Sequence, residues 1–284
     1  MKDTLTSRQN PTVKRICSLA DKKNRRREGL FRLDGIKLLE EAIEAGLELV
    51  HVAVRMPARE QIAERLETWL RDGLLSEEAY LPVSEAVFDK MTEEKSPEGV
   101  LCVARLPELL HQTAEGDFSA YGFSGERLLV LESVRDPGNL GTILRSAYAL
   151  GIDRLILTDD CADLYHPRTV RAAMGALFRL PTLTVGQTDL PRYLTRLRED
   201  GRRLYGTALH TDAQAVGQIA LRRGDGFVIG NEGHGLSPSV IEACFGCAVI
   251  PMREGAESLN AAAAAAICIW ETVKACETER EVRE

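Results

Sequence analysis

Three stretches of this 284-residue chain combine residue types that can bind and activate small groups. The first is Glu132-Ser-Val-Arg-Asp-Pro-Gly-Asn-Leu-Gly-Thr-Ile-Leu-Arg145, which follows an apolar run and opens a helix. Asp136-Pro137-Gly138 reads as a turn and Asn139 as an N-cap. Arg145, six residues on, falls on the second helical turn, with a side chain long enough to reach back. Free N–H groups at such a turn plus an arginine suit a phosphate. A capped helix with a surface arginine fits the same residues equally well. The second stretch, Gly226-Phe-Val-Ile-Gly-Asn-Glu-Gly-His-Gly-Leu-Ser-Pro238, runs a strand into Gly230, Gly233 and Gly235. Its spacing is neither that of a dinucleotide fingerprint nor that of a P-loop. Three glycines and the carboxylate of Glu232 at a strand end favour a ligand loop over a merely tight turn. The third, from Val249-Ile-Pro-Met252 to Ser258-Leu-Asn260 and six alanines, is a strand, a loop and a helix whose first turn carries Ser258 and Asn260. The alanines allow close backbone approach, or else serve simple helix propensity.

The elements that would position these stretches alternate. From residue 127 the apolar run Leu128-Leu-Val-Leu has the character of a strand covered on both faces. Helix Asn139–Leu150 and strand Arg154–Thr158 follow. Further strands are predicted at Thr182–Val185, Arg203–Ala208, Gly226–Gly230 and Ala248–Ile250, with helices at Leu190–Arg198 and Leu259–Cys276. This rhythm predicts a mainly parallel α/β sheet whose ligands bind beyond the carboxyl ends of the strands. Residues 1–105 read as a smaller α/β unit, starting with a helix capped by Asn10 with Pro11 in its first position. Residues 106–126 lose the periodicity and read as a linker. The organisation expected is therefore 1–105, a linker at 106–126, and 127–284.

Composition narrows the class. Hydrophobic residues make up 44% and charged residues 28%, as in soluble globular chains. No uncharged apolar run approaches the ~20 residues of a membrane helix, and the N-terminus lacks the apolar core of a signal peptide. A cytoplasmic protein with no membrane partner is the expectation. The seven cysteines are odd in number and scattered, so they read as reduced thiols. Cys244 and Cys247 form one CxxC without a second pair, and no metal site is expected. The net charge of −7 is unevenly placed: residues 1–35 hold ten Lys/Arg against four acids. The basic run suggests local contact with a polyanion, the simpler reading being a solvated, charge-rich helix. No histidine looks like a base; His234 reads as a loop residue.

Taken in order, the three stretches resemble the motifs of the SpoU/TrmH family of RNA ribose 2′-O-methyltransferases, of the SPOUT class. Asn139, Gly141 and Arg145 match the first motif. Gly230, Asn231, Glu232 and Gly235 match the second, and Ile250, Pro251, Met252, Ser258, Leu259 and Asn260 the third. Residues 1–105 resemble the L30e-like α/β sandwich that precedes the catalytic domain in some members. The resemblance implies a C-terminal trefoil-knot domain, a homodimer, S-adenosylmethionine as cofactor, and methylation of structured RNA. Ribosomal RNA is preferred as the target over tRNA. It implies that Asn139, Arg145, Glu232, Ser258 and Asn260 line the reaction centre. Thr207, Gly230, Asn231, Gly235, Ile250, Met252 and Leu259 would hold the cofactor. In that light Arg8, Lys14, Arg15, Lys22, Lys23, Arg25, Arg26 and Arg27 are candidate RNA contacts. A ribose hydroxyl needs to lose its proton before it attacks a methyl. The family mechanism gives Arg145 that task, which a guanidinium of pKa above ~12 performs poorly unaided. Arg145 either works through a bound phosphate or simply binds one. The competing functions are a non-catalytic RNA-binding assembly factor on the same scaffold, a small-molecule α/β enzyme, and a base methyltransferase of the wider class.

Overall fold

The computed structural model describes residues 2–253, 255 and 258–281, with side chains as far as 275. Glu254, Ala256 and Glu257 of the third stretch and the Cys276 thiol therefore lie outside the described residues. The chain forms two compact units. One runs to Pro107 and also takes Tyr165–Phe178; the other comprises Glu108–Leu164 and the chain from Arg179 on.

The smaller unit contains α1 (Pro11–Ser18), α2 (Lys22–Glu28), β1 (Leu30–Asp34), α3 (Ile36–Glu44), β2 (Leu49–Met56), α4 (Glu60–Arg71), β3 (Tyr80–Ser84), α5 (Glu85–Met91) and β4 (Val100–Arg105). Asn10 caps α1 by accepting a hydrogen bond from Thr12 N at 2.8 Å, with Pro11 next in line. The sheet runs β1-β4-β2-β3, parallel only between β2 and β3. Val13 and Ile16 of α1 and Val87 and Phe88 of α5 pack with Ala53, Leu101 and Val103 into one core. Four of the five residues of β1 are buried, so the strand shows no alternation of inward and outward side chains. Its other face is covered by the returning segment: the Phe31 ring lies 4.9 Å from that of Tyr165.

The larger unit holds β5 (His111–Ala114), β6 (Leu128–Leu131), α6 (Pro137–Leu150) and β7 (Arg154–Thr158). After β7, α7 (Pro167–Ala173) and a 3₁₀ turn (Met174–Phe178) belong to the smaller unit. The chain continues with β8 (Thr182–Val185), α8 (Leu190–Glu199), β9 (Leu204–Thr207), β10 (Gln214–Ala215), β11 (Gly226–Ile229), α9 (Pro238–Ala243), β12 (Gly246–Val249) and α10 (Ala261–Glu281). The eight strands run in the order β10-β12-β9-β11-β6-β7-β8-β5, and every pairing is parallel. Leu128 and Val130 point into a core with α8 and α9; α6 and α10 pack together, with α10 also against β11. Stretch 106–126, expected as a linker, instead supplies β5, which lies beside β8. Four residues with one buried side chain are too short and too polar to show a strand period in sequence. Among the described residues no helix is long and apolar enough to cross a membrane.

Candidate functional site

Strands β7 and β8 extend the sheet to one side of β6, whereas β11, β9 and β12 lie on the other. The order of the chain therefore reverses between β6 and β11. Loops leaving two parallel strands at such a point diverge and open a crevice beyond their carboxyl ends.

The loop after β6 ends in α6, which is capped by Asp136 and not by the expected Asn139. The Asp136 carboxylate accepts from Asn139 N at 2.8 Å. Pro137 has no N–H to satisfy and its fixed φ suits a first helical position, which puts the cap one residue before it. Asn139 then stands in the first turn with its side chain free to work elsewhere. Its Nδ2 donates to Glu232 Oε1 at 3.0 Å, and its Oδ1 accepts from Asn260 Nδ2 at 2.9 Å. Asn260 Oδ1 in turn accepts from Ala262 N and Ala263 N, capping α10. That helix begins at Ala261, so Ser258, expected in its first turn, precedes it. One chain of side-chain hydrogen bonds thus joins the three sequence motifs.

The loop after β11 closes on itself through Asn231 N to Gly235 O and the reverse, each at 3.0 Å. A Cβ at Gly230 would fall 2.3 Å from the carbonyl carbon of Gly235, so only glycine fits. Gly235, at φ +68°, takes the left-handed conformation that glycine adopts without strain. Asn231 organises the loop: its Oδ1 accepts from Gly233 N and His234 N, and its Nδ2 donates to Ser133 O.

These loops surround a cavity of about 450 Å³. Thr207, Gly230, Asn231, Gly235, Ile250, Met252 and Leu259 all line it, as do Glu232 and Ser258. The size lies within the range of cofactor clefts. The glycine loop lets backbone come close, and Leu236, Ile250 and Leu259 offer apolar wall, a fit to an adenosine with a charged amino-acid tail. The Thr207 hydroxyl donates to Val228 O, so it braces β9 on β11. Arg145 is exposed on α6, does not line the cavity, and has no hydrogen bond or ion pair among the described residues.

The basic run is less uniform than its sequence suggests. Arg25 is buried, and its guanidinium donates to Leu19 O and Ala20 O at the end of α1. It is a structural clamp and not a surface RNA contact. Periodicity could not reveal this, because α2 carries six charged residues out of seven and shows no apolar stripe. Arg15 and Arg27 both pair with Glu28, whose carboxyl their hydrogen bonds, Arg27 first, hold below its ordinary value. Arg8 donates to Ala86 O. Lys14, Lys22, Lys23 and Arg26 project into solvent.

Sequence reasoning missed a second polar cluster where β6, β7 and β8 end. Ser133 has a positive φ of 57°. Its N–H donates to Thr158 Oγ1 and its hydroxyl to Asp160 Oδ2, which also pairs with Arg135. Burial opposes ionisation of Asp160, but the bonds from Thr158, Ser133 and Arg135 hold its carboxyl below the usual range. Gln187 Nε2 donates to Ser133 Oγ at 3.3 Å. Ser133 and Arg135 belonged to the first stretch, and the signal for the others was that Thr158 ends a predicted strand while Asp160 and Gln187 closely follow one. The CxxC cysteines differ in burial, and burial pushes the Cys244 thiol up to about 12, an inert thiol at neutral pH.

Residues 126–270 match the model of the SpoU rRNA Methylase family, and residues 10–102 that of the MRM3-like substrate binding domain. The 23S rRNA (guanosine(2553)-2′-O)-methyltransferase RlmP of Bacillus subtilis is 32% identical over 266 residues, covering 94% of this chain and 97% of the relative. The 23S rRNA (guanosine-2′-O-)-methyltransferase RlmB of Bordetella pertussis is 32% identical over 211 residues, covering 74% and 84%. Among solved structures, an RNA 2′-O ribose methyltransferase superposes with a TM-score of 0.77 at 29% identity, covering 97% of this chain and all of the other. The AdoMet-bound rRNA methyltransferase of Sinorhizobium meliloti gives 0.78 at 28%, covering 96% and 97%. Likeness that spans both units and falls on the loops that meet through Asn139 has one reading: the chain belongs to the SpoU rRNA Methylase family.

Proposed function

We propose that the protein transfers a methyl group from S-adenosylmethionine to a ribose 2′-hydroxyl of ribosomal RNA. The observation that carries this reading is the hydrogen-bond chain Asn260–Asn139–Glu232 at the rim of the 450 Å³ cavity. It ties the three loops into one fixed polar edge beside the cofactor space. The names of the Bacillus and Bordetella relatives, both rRNA 2′-O-methyltransferases, support the substrate. The AdoMet-bound Sinorhizobium structure supports the cofactor. The bacterial rRNA relatives also support a cytoplasmic setting.

Bound in the cavity, S-adenosylmethionine supplies a sulfonium methyl group. The chain's own residues hold and orient. Gly230 and the residues flanking Ile250 and Leu259 bring backbone groups against the cofactor. Glu232 and Asn139 fix the position of the ribose by hydrogen bonding, which converts a bimolecular encounter into an oriented one. Arg145, exposed and with no side-chain partner among the described residues, takes an RNA phosphate and so orients the nucleotide. The exposed Lys14, Lys22, Lys23 and Arg26 add sequence-independent RNA affinity. Ile267 and Trp270 of α10 and Tyr148 of α6 are exposed apolar side chains on two helices that pack together, and a second copy of the chain would cover them. Sedimentation that finds a monomer at micromolar concentration would remove that homodimer.

The test is titration with S-adenosylmethionine, followed by methyl transfer to rRNA from cells lacking the gene and mapping of the 2′-O-methyl site. Methyl incorporation at one ribose is expected. Absence of cofactor binding would support the non-catalytic scaffold, and a methylated base would support the wider class.

A further inference from the structure

A second cavity, of about 370 Å³, also borders the Asn231–Gly235 loop. The two share Asn231, His234, Gly235 and Leu236, so they adjoin at one loop. Glu132, Ser133, Arg135 and Gln187 line only the second.

The polar groups there are held by a network and still have capacity left over. Glu132 is only 3% exposed. One of its oxygens accepts from Ser237 N at 2.9 Å; the other has no partner among the described residues. That oxygen keeps access to solvent in an otherwise buried side chain, so a donor can reach it. Gln187 is anchored by its backbone N–H on Asp159 and by one amide hydrogen on Ser133, which leaves its carbonyl and its second amide hydrogen free. Arg135 engages Asp160 through a single nitrogen, with the side chain 67% exposed. Ser133, at the centre, is kept at positive φ by bonds from its N–H and hydroxyl and by Asn231 Nδ2 on its carbonyl. Backbone strain of this kind persists where the surroundings over-determine it.

We propose that this second cavity reads the base of the nucleotide whose ribose is methylated, and that the base is guanine, with Glu132 and Gln187 as the specificity-determining residues. The inference rests on the function proposed above. Asn139 and Glu232, which face the ribose, are close neighbours in sequence of Arg135 and Asn231 on the cavity wall. A splayed-out nucleotide places its base one glycosidic bond from the ribose, and RNA-binding proteins read such bases on their Watson–Crick edges. Guanine shows two adjacent donors, N1–H and the N2 amino group, next to the O6 acceptor. Its donors satisfy the open oxygen of Glu132, and O6 takes a hydrogen from Gln187 or Arg135. Adenine and cytosine place a ring-nitrogen acceptor where the carboxylate needs a donor. Uracil has one donor between two acceptors. A site that hydrogen-bonds its correct ligand rejects the others by leaving its own polar groups unpaired.

The experiment uses the full-length protein and short transcripts carrying the mapped target site, with guanosine, inosine or adenosine at the target. Inosine lacks only the N2 amino group. Wild type is expected to prefer guanosine to inosine by about tenfold in kcat/KM, the ordinary worth of one base contact, and to leave adenosine unmodified. In Glu132→Gln, which keeps the size of the side chain and an acceptor for Ser237 N, that preference disappears and guanosine turnover falls. Gln187→Ala weakens guanosine and inosine alike. Titration with S-adenosylmethionine gives the same affinity in all three proteins. The idea is overturned by a target nucleotide other than guanosine, or by an unchanged guanosine-to-inosine ratio in Glu132→Gln. A parallel fall in cofactor affinity also overturns it, since Glu132 would then merely hold the loop. Wild-type methylation of rRNA would survive each of these results, so the function proposed above stands or falls separately.

Discussion

The basic run at the start of the chain and the strand-end loops of the larger unit are both dense in groups that bind anions and sugars, but the fold employs them differently. In α2 and its surroundings several charges are consumed internally: Arg25 clamps the end of α1, and Arg15 and Arg27 share Glu28. In the strand-end loops, Asp136 and the backbone of Gly233, His234 and Gly235 complete the local architecture. Asn139 is thereby left to join Glu232 and Asn260 beside the cavity, and Arg145 stands exposed on α6. Density of charge is a poor guide to a site; what matters is which groups remain after the local hydrogen bonds are made.

The largest effect that tests this contrast is expected from Gly230→Ala. The added Cβ overlaps Gly235 and forces the loop open, so cofactor affinity should fall at least about 100-fold with a stability loss of roughly 1–3 kcal/mol. Calorimetric titration and urea unfolding measure the two. A variant that binds normally would show that the loop does not shape the cofactor cavity. Next, Asn139→Ala breaks the chain between the three motifs. A loss of about 100-fold in kcat is expected with cofactor affinity within about threefold of wild type, because the change touches the ribose edge and not the cavity wall. Equal losses in both would make Asn139 structural.

On the other side of the contrast, Arg25→Ala should cost about 2 kcal/mol of stability and leave the salt dependence of RNA binding unchanged. Lys22→Glu with Lys23→Glu should do the reverse: stability within about 0.5 kcal/mol of wild type, and a flatter slope of log affinity against log salt. If Arg25→Ala flattens the slope, the division between clamp and contact is wrong. The smallest effect concerns Asp34. Burial pushes its carboxyl up to about 6, against the opposing pull of Arg32 and a bond from Thr92. The fold therefore favours the neutral form. The stability this gives is fully present below the unfolded value of ~3.9 and is lost as pH rises through about 6. Asp34→Asn, neutral throughout and still an acceptor for Thr92, should be more stable than wild type by about 1–2 kcal/mol at pH 8, with no gain at pH 4. Thermal unfolding at the two pH values checks it.

Much of the larger unit was legible before any coordinates. The apolar run of β6, the glycines after β11 and the Ile-Pro-Met before α10 are local signals, set by side-chain period and by residues with restricted or unusual φ, ψ. They fixed the alternation of strands and helices and the order of the three motifs; the resemblance those motifs carry then named nine of the twenty residues that line the cavity. Other features depend on which strands become neighbours, and tertiary structure alone settled those. β11 inserts between β9 and β6. That insertion brings Glu232 to Asn139 across 93 positions and Asn231 to Ser133 across 98. β5 joins the sheet edge from a stretch with no period, and Tyr165–Phe178 leaves one unit for the other. Arg25 is buried although its helix reads as wholly polar. Hydrophobic pattern records the face each residue presents; it does not record the partner that will meet that face. Local chemistry along the chain named the reactive groups and the loops that carry them, and the packing of the parallel sheet decided which of those groups face one another.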